Sequence, residues 1–163
     1  MRIALTLTLV ALTGCSKTWS DKDIAFVSVP QAKALFAEDG GTWLKEAKPN
    51  IWVDARNPSK YTIGHIPGAI NIPLRSIDTQ WGRVEAFGTV IVYGATWNDP
   101  IADAETKVLL EKGLKNVKTL SGGLQAWVEA GGETQPGSDA KLIEPEMVRK
   151  QRPRRTTETK RRR

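Results

Sequence analysis

Few side chains in this sequence can carry chemistry, and most stand where an apolar run stops. Asp54 ends the run Ile51-Trp52-Val53, with Arg56 two residues further on. A carboxylate and a guanidinium this close can serve acid–base chemistry or pair with each other. His65, the one histidine, stands in Gly64-His65-Ile66-Pro67. Histidine is a versatile base and metal ligand. No second type of metal ligand clusters with it, so a buried structural histidine is expected and no metal or cofactor site is. A second apolar run, Val90-Ile91-Val92-Tyr93, stops at Gly94, and Ala95-Thr96-Trp97-Asn98-Asp99 follow. Enzymes often hold a nucleophile where such a strand ends, but Gly94 offers no side chain. Thr96 has a hydroxyl without a partnered base. Trp97 reads equally as an exposed binding aromatic or as packing for the loop. Asp99 reads as a helix N-cap. The only thiol, Cys15, lies far upstream.

Alternating strands and helices must position these residues. Short β-prone runs lie at Ala25–Val29, Ile51–Asp54, Ala69–Pro73, Val90–Tyr93 and Asn116–Leu120. The Val90 run is apolar on both faces, as a central parallel strand should be. Helices are expected between the runs. One follows Pro30, with Ala32, Leu35 and Phe36 on one face and glycines at its end. Another starts at Asp99-Pro100, carries Ile101, Ala104, Val108 and Leu109 as its stripe, and is closed by Gly113. A third begins at Gly122-Gly123, carries Leu124, Trp127 and Val128, and ends at Gly131-Gly132. Gly122 and Gly123 are turn residues and no phosphate loop, since no Gly-Lys-Ser pattern follows. This alternation implies a parallel sheet covered on both faces. Ligands of such sheets sit at the carboxyl ends of the strands, where the Gly94 loop lies.

The two ends of the 163-residue chain differ from its middle. Arg2 precedes an uncharged run, Ile3–Thr13, which is shorter than the roughly 20 residues a bilayer span needs. Leu12-Thr13-Gly14-Cys15 resembles a bacterial lipobox, in which the cysteine receives lipid and becomes the first mature residue. Residues 1–14 are therefore expected to be a lipoprotein signal peptide. Residues 15–23 would form a tether, with the protein held to the membrane through lipid on Cys15. Ser16 points to the periplasmic face of the outer membrane. The far end, Arg149–Arg163, holds nine Lys or Arg against one Glu, a charge of +8, while the other 148 residues sum to −2. A segment so poor in apolar residues cannot build a core, so 135–163 are expected to form a disordered basic tail. Such a tail is attracted to anionic surfaces. Secretion argues against nucleic acid as its partner.

Three stretches carry a family resemblance. Val53–Pro73 (VDARNPSKYTIGHIPGAINIP), the loop after Tyr93, and Leu120–Trp127 (LSGGLQAW) resemble, in order and spacing, the signatures of rhodanese-like domains. The resemblance covers about Ile24 to Glu133 and implies a domain at 24–134. The fold it implies is α/β, a three-layer α/β/α arrangement with a central five-stranded parallel sheet. Asp54, Arg56, His65, Gly68, Gly122, Gly123 and Trp127 fall in the signatures. The resemblance implies that Asp54 and Arg56 tie loops together. It sets Gly94 where active members carry a cysteine, whose persulfide is cradled by loop N–H groups and passed to an acceptor. Glycine holds no persulfide. Asp99 stands where active members often have a basic residue, and Pro100 stands where related phosphatases have an arginine. Two readings result. One is a catalytically silent, lipid-anchored binding or scaffolding module of the cell envelope with a protein partner not identified by the sequence. The other is a sulfurtransferase, or another enzyme using the same loop.

Overall fold

The structure is a computed structural model describing residues 19–37 and 48–138. The signal segment, Cys15, Gly40, Gly41 and residues 139–163 lie outside these residues, whereas 135–138, expected in the disordered tail, are tied to the domain: Gln135 and His65 exchange backbone hydrogen bonds at 2.9 and 3.0 Å, and Gly137 N–H donates to Thr62 O at 2.9 Å. In chain order the elements are β1 (Phe26–Val27), α1 (Val29–Ala37), β2 (Ile51–Asp54), α2 (Pro58–Ile63), β3 (Ala69–Asn71), α3 (Ile77–Gln80), β4 (Val90–Tyr93), α4 (Ile101–Glu111), β5 (Val117–Leu120) and α5 (Gly123–Glu129). The strands form one five-stranded sheet in the order β1-β5-β4-β2-β3, and every pairing is parallel. β4 pairs along its length with β2, from Ile51↔Val90 to Asp54↔Tyr93. Every residue of both strands is buried, which is why both read as apolar runs, broken only by Asp54 at the end of β2.

The pleat divides the core in two. Val53, Val92 and Val117 face Ile77 of α3 and Leu109 of α4. Trp52, Ile91, Tyr93 and Leu120 face Ala32 of α1, Tyr61 of α2 and Trp127 of α5. Trp52 stacks on Phe36 with ring centroids 4.6 Å apart and meets Trp127 edge-on at 5.3 Å. Each side chain of this size contributes roughly 1.5–3 kcal/mol on full burial.

Local details differ from the pattern reading. β1 is two residues long, because Ser28 ends it and caps α1: its N–H and hydroxyl each donate to Gln31 Oε1 at 2.9 Å. Pro30 then sits inside the first turn, where its missing N–H costs nothing. The inward face of α4 is also rotated from the apolar stripe. It consists of Ala102, Glu105, Thr106, Leu109 and Leu110, while Ala104 and Val108 are only half-buried. A polar bond turns the helix this way, since Thr106 Oγ1 lies 2.8 Å from Thr119 Oγ1 of β5. Val128, expected on the buried face of α5, is 54% exposed.

Candidate functional site

At the carboxyl end of β4 the chain turns out of the sheet at Gly94, which is buried. The loop closes on its own carboxylate. Asp99 Oδ2 accepts the Ala95 N–H at 2.9 Å, and Oδ1 accepts the Ile101 N–H at 3.1 Å. Asp99 therefore accepts the amide two residues on, at the start of α4, as an N-cap does, and its second oxygen also ties down the first amide of the loop. A Cβ built on Gly94 would lie 3.0 Å from Asp99 Oδ2 and 3.1 Å from Ile101 Cγ2. The space a side chain of residue 94 would use is bounded by a carboxylate.

The opposite wall is the start of α5. Leu124 N–H donates to Gly94 O and Gln125 N–H to Ala95 O, each at 3.0 Å. That approach needs Gly122 and Gly123, at φ 75° and 58°. A Cβ on Gly123 would stand 2.5 Å from Gly94 O, and one on Gly122 would stand 2.5 Å from Trp97 Cε2. Trp97 thus lays its ring against Gly122 and still leaves 59% of its surface exposed. Both roles weighed for it, packing and display, hold for its two faces.

Asp54 and Arg56 are spent on each other. Arg56 Nε donates to Asp54 Oδ1 at 2.9 Å, Nη2 to Oδ2 at 2.5 Å, and Nη2 also to Gly64 O at 2.7 Å. Asn71 Nδ2 ties the same corner, donating to the carbonyls of Asp54 and Arg56 at 2.8 Å. Burial pulls the Arg56 pKa down, but the hydrogen bond and charge of Asp54 outweigh it and leave it above the ordinary value. Tyr93 is fully buried, and its hydroxyl accepts the Ile66 N–H at 3.1 Å. Burial, then the charge of Asp54, pushes its pKa far up, so it stays a phenol. His65, 1% exposed, stacks on Tyr61 at 3.8 Å. Its Nδ1 lies 2.9 Å from Tyr61 O, a group that only accepts, so Nδ1 carries the proton. Its Nε2 faces the Gln135 amide at 3.1 Å. Both ring nitrogens are occupied inside the fold. Gly68 lies in the turn into β3, and Trp127 Nε1 donates to Glu133 O at 2.7 Å. Among the described residues, no three His, Cys, Asp or Glu side chains gather as a metal site would require.

A five-stranded parallel sheet, an ion pair behind its second strand and a glycine-lined loop at its centre invite comparison with known proteins. Over residues 41–130 the sequence matches the rhodanese-like domain family. The chain belongs to that family. It is 31% identical over 129 residues to thiosulfate sulfurtransferase YnjE of Escherichia coli (strain K12), covering 69% of this chain and 28% of that protein. It is 27% identical over 129 residues to the thiosulfate:glutathione sulfurtransferase of Saccharomyces cerevisiae, covering 71% of this chain and 91% of that one. The match thus takes in little more than a quarter of the bacterial relative and nearly all of the yeast one. Among solved structures, the Alr3790 protein from Anabaena sp. superposes with a TM-score of 0.56 at 28% identity, covering 72% of this chain and 85% of that one.

Among the cavities along the described residues of this rhodanese-like domain, two lie at opposite ends of the strands. The larger, about 350 Å³, lies at the amino ends of the strands beside Trp81, Phe87 and Leu114. The smaller, about 220 Å³, lies at the Gly94 loop, lined by Phe26, Thr96, Trp97, Asp99, Asp103 and Ser121 among others. Parallel sheets bind ligands at their carboxyl ends, so the smaller cavity is the functional candidate. Of its acidic side, Asp99 is legible in the sequence and Asp103 is not. Burial holds Asp103 above the usual carboxylate range, and the charges of Asp21 and Asp99 push the same way against Lys107. Deeper in α4, Glu105 is fully buried, and neither carboxyl oxygen has a hydrogen-bond partner. Burial, then the charge of Asp54, pushes its pKa up to about 9. Nothing in the sequence separates Glu105 from the other charged residues of its helix. Only its register against β5 does so.

Proposed function

We propose that this chain is a catalytically silent member of the rhodanese-like family, held by lipid on Cys15 at the periplasmic face of the bacterial outer membrane and acting as a binding or scaffolding module. One observation carries the silent reading. Gly94, at the position the resemblance gives to the sulfur-bearing cysteine, has no nucleophile, and the amides at both ends of its loop already hold the Asp99 carboxylate. A persulfide anion needs those donors free and a thiol to grow from. An incoming thiosulfate would meet a fixed negative charge. The names of the E. coli and yeast relatives favour the alternative, sulfur transfer, but a shared fold does not carry an activity with it.

The deciding measurement is thiocyanate formation from thiosulfate and cyanide by the full chain. The expected result is no turnover above a heat-inactivated control, and turnover above that control removes the silent reading. Anchoring is read separately. Intact-mass analysis of protein from membranes should show Cys15 acylated, and Cys15→Ser should leave the chain unprocessed or soluble. An unmodified Cys15 in mature membrane-extracted protein rules the anchor out.

A further inference from the structure

The cavity at the Gly94 loop has its polarity inverted. Two of its amide donors, Ala95 and Ile101, are held by Asp99, and carboxylates, aromatic rings and the hydroxyl residues Thr96, Thr119 and Ser121 are among its lining. Asp99 and Asp103 line it, and Asp21 lies within electrostatic range of Asp103. The cation beside them, Lys107, is engaged with Asp21 at 2.7 Å. Trp97 and Phe26 border the opening, 59% and 51% exposed. Carboxylates next to an uncovered indole face are the partners a guanidinium prefers, since it pairs in the plane and stacks on the ring. The 220 Å³ space accepts a side chain or two rather than a folded element.

We propose that this cavity is a cation site and that its occupant is the same chain's arginine-rich segment, Arg149–Arg163. The inference rests on the silent reading, because a cavity working on anionic sulfur donors would not be filled with cations. Charge complementarity selects the occupant. The segment holds nine Lys or Arg against one Glu, while the rest of the chain is at −2. Reach permits it, because the ten residues from 139 to 148 span up to about 35 Å when extended. Covalent attachment raises the local concentration of the segment to the millimolar range, so weak contacts suffice. A guanidinium between Asp99 and Asp103 would also offset the charges of Asp21 and Asp99, which add to burial in holding the Asp103 carboxyl above its usual range. In this arrangement the tail alternates between its own domain and an external anionic surface.

The test uses the full chain with Cys15→Ser, which keeps it free of lipid. The Trp97 indole N–H resonance is assigned with Trp97→Phe. Replacing the nine basic residues of 149–163 by Gln should shift this resonance, and a synthetic peptide of residues 149–163 should move it back. Asp103→Lys in the neutralised chain should weaken the peptide by about tenfold, the effect of roughly one lost charge pair. The wild-type chain should need more peptide than the neutralised one, because its own tail competes. A Trp97 resonance indifferent to both changes overturns the proposal, as does equal peptide affinity with and without Asp103→Lys. A wild-type shift that disappears on dilution assigns the segment to a second copy and overturns the intramolecular form. Thiocyanate assays on the same samples keep the two readings apart: turnover sinks the silent reading, whereas loss of the Trp97 response sinks only the cation site.

Discussion

Glu105 is the residue whose burial is hardest to justify by packing alone. With both oxygens unpartnered, it is held neutral, its pKa pushed from 4.5 up to about 9. Between those values the folded chain keeps a proton that the unfolded chain has lost. The stabilisation relative to the unfolded state is therefore complete below about 4.5 and is lost as pH rises through about 9. The slope is on the order of 1.4 kcal/mol per pH unit where the two states differ by a whole proton. Glu105→Gln should flatten the fall of urea stability between pH 6 and pH 9, whatever its effect at one pH. Parallel curves for the two proteins would show that the carboxyl is charged or solvated. Gly94→Cys asks the companion question at the loop. Its sulfur would start from a Cβ 3.0 Å from Asp99 Oδ2, so the carboxylate should hold the thiol above the ordinary value of about 8.5. Iodoacetamide should reach half its limiting rate above that pH, and no thiocyanate should form. A thiol reactive at pH 7 would mean that the loop still favours anions.

At the scale of elements, what the sequence declared and what it hid follow one physical division. β2 and β4 were plain because strands buried on both faces are apolar nearly throughout, and the one charge, Asp54 at the end of β2, is paired with Arg56. The Gly122-Gly123 start of α5 was plain because left-handed backbone against a neighbouring loop leaves little choice of residue. The inward face of α4 was hidden because Glu105 and Thr106 point into the core, and an apolar pattern cannot announce a polar pair. The length of β1 was hidden because Ser28 and Gln31 end it with side-chain bonds inside a β-prone run. The site divided likewise. The loop after Tyr93 was legible from position, whereas the self-closure by Asp99 and the company of Asp103, Phe26 and Trp97 needed tertiary structure. Gly122→Ala tests the α5 junction. With φ at 75° and its Cβ 2.5 Å from Trp97 Cε2, the methyl group should displace Trp97 and cost about 1–3 kcal/mol. Urea unfolding measures the cost, and acrylamide quenching follows the indole. An unchanged midpoint would place Trp97 away from Gly122.

For the whole molecule the governing quantity is the separation of charge. The chain is at −2 before Arg149 and gains +8 after it, so broad affinity for anionic surfaces should belong to the last fifteen residues. Each basic residue near an anionic lipid surface contributes about 1 kcal/mol at most, and the attraction is screened over roughly 8 Å at physiological salt. Binding through the tail should therefore weaken steeply as salt rises. The experiment is co-sedimentation with vesicles rich in phosphatidylglycerol across a salt series. It compares the Cys15→Ser chain with the same chain ended before Arg149. The longer protein should sediment at low salt and be released as salt increases, and the shorter one should stay in the supernatant throughout. Asp103→Lys should strengthen sedimentation of the longer protein by more than a control Lys at exposed Asp78, because it also frees the tail from its place on the domain. Equal sedimentation of long and short chains would put the membrane-facing surface on the folded domain, and the partition of charge would then have no bearing on where the protein binds.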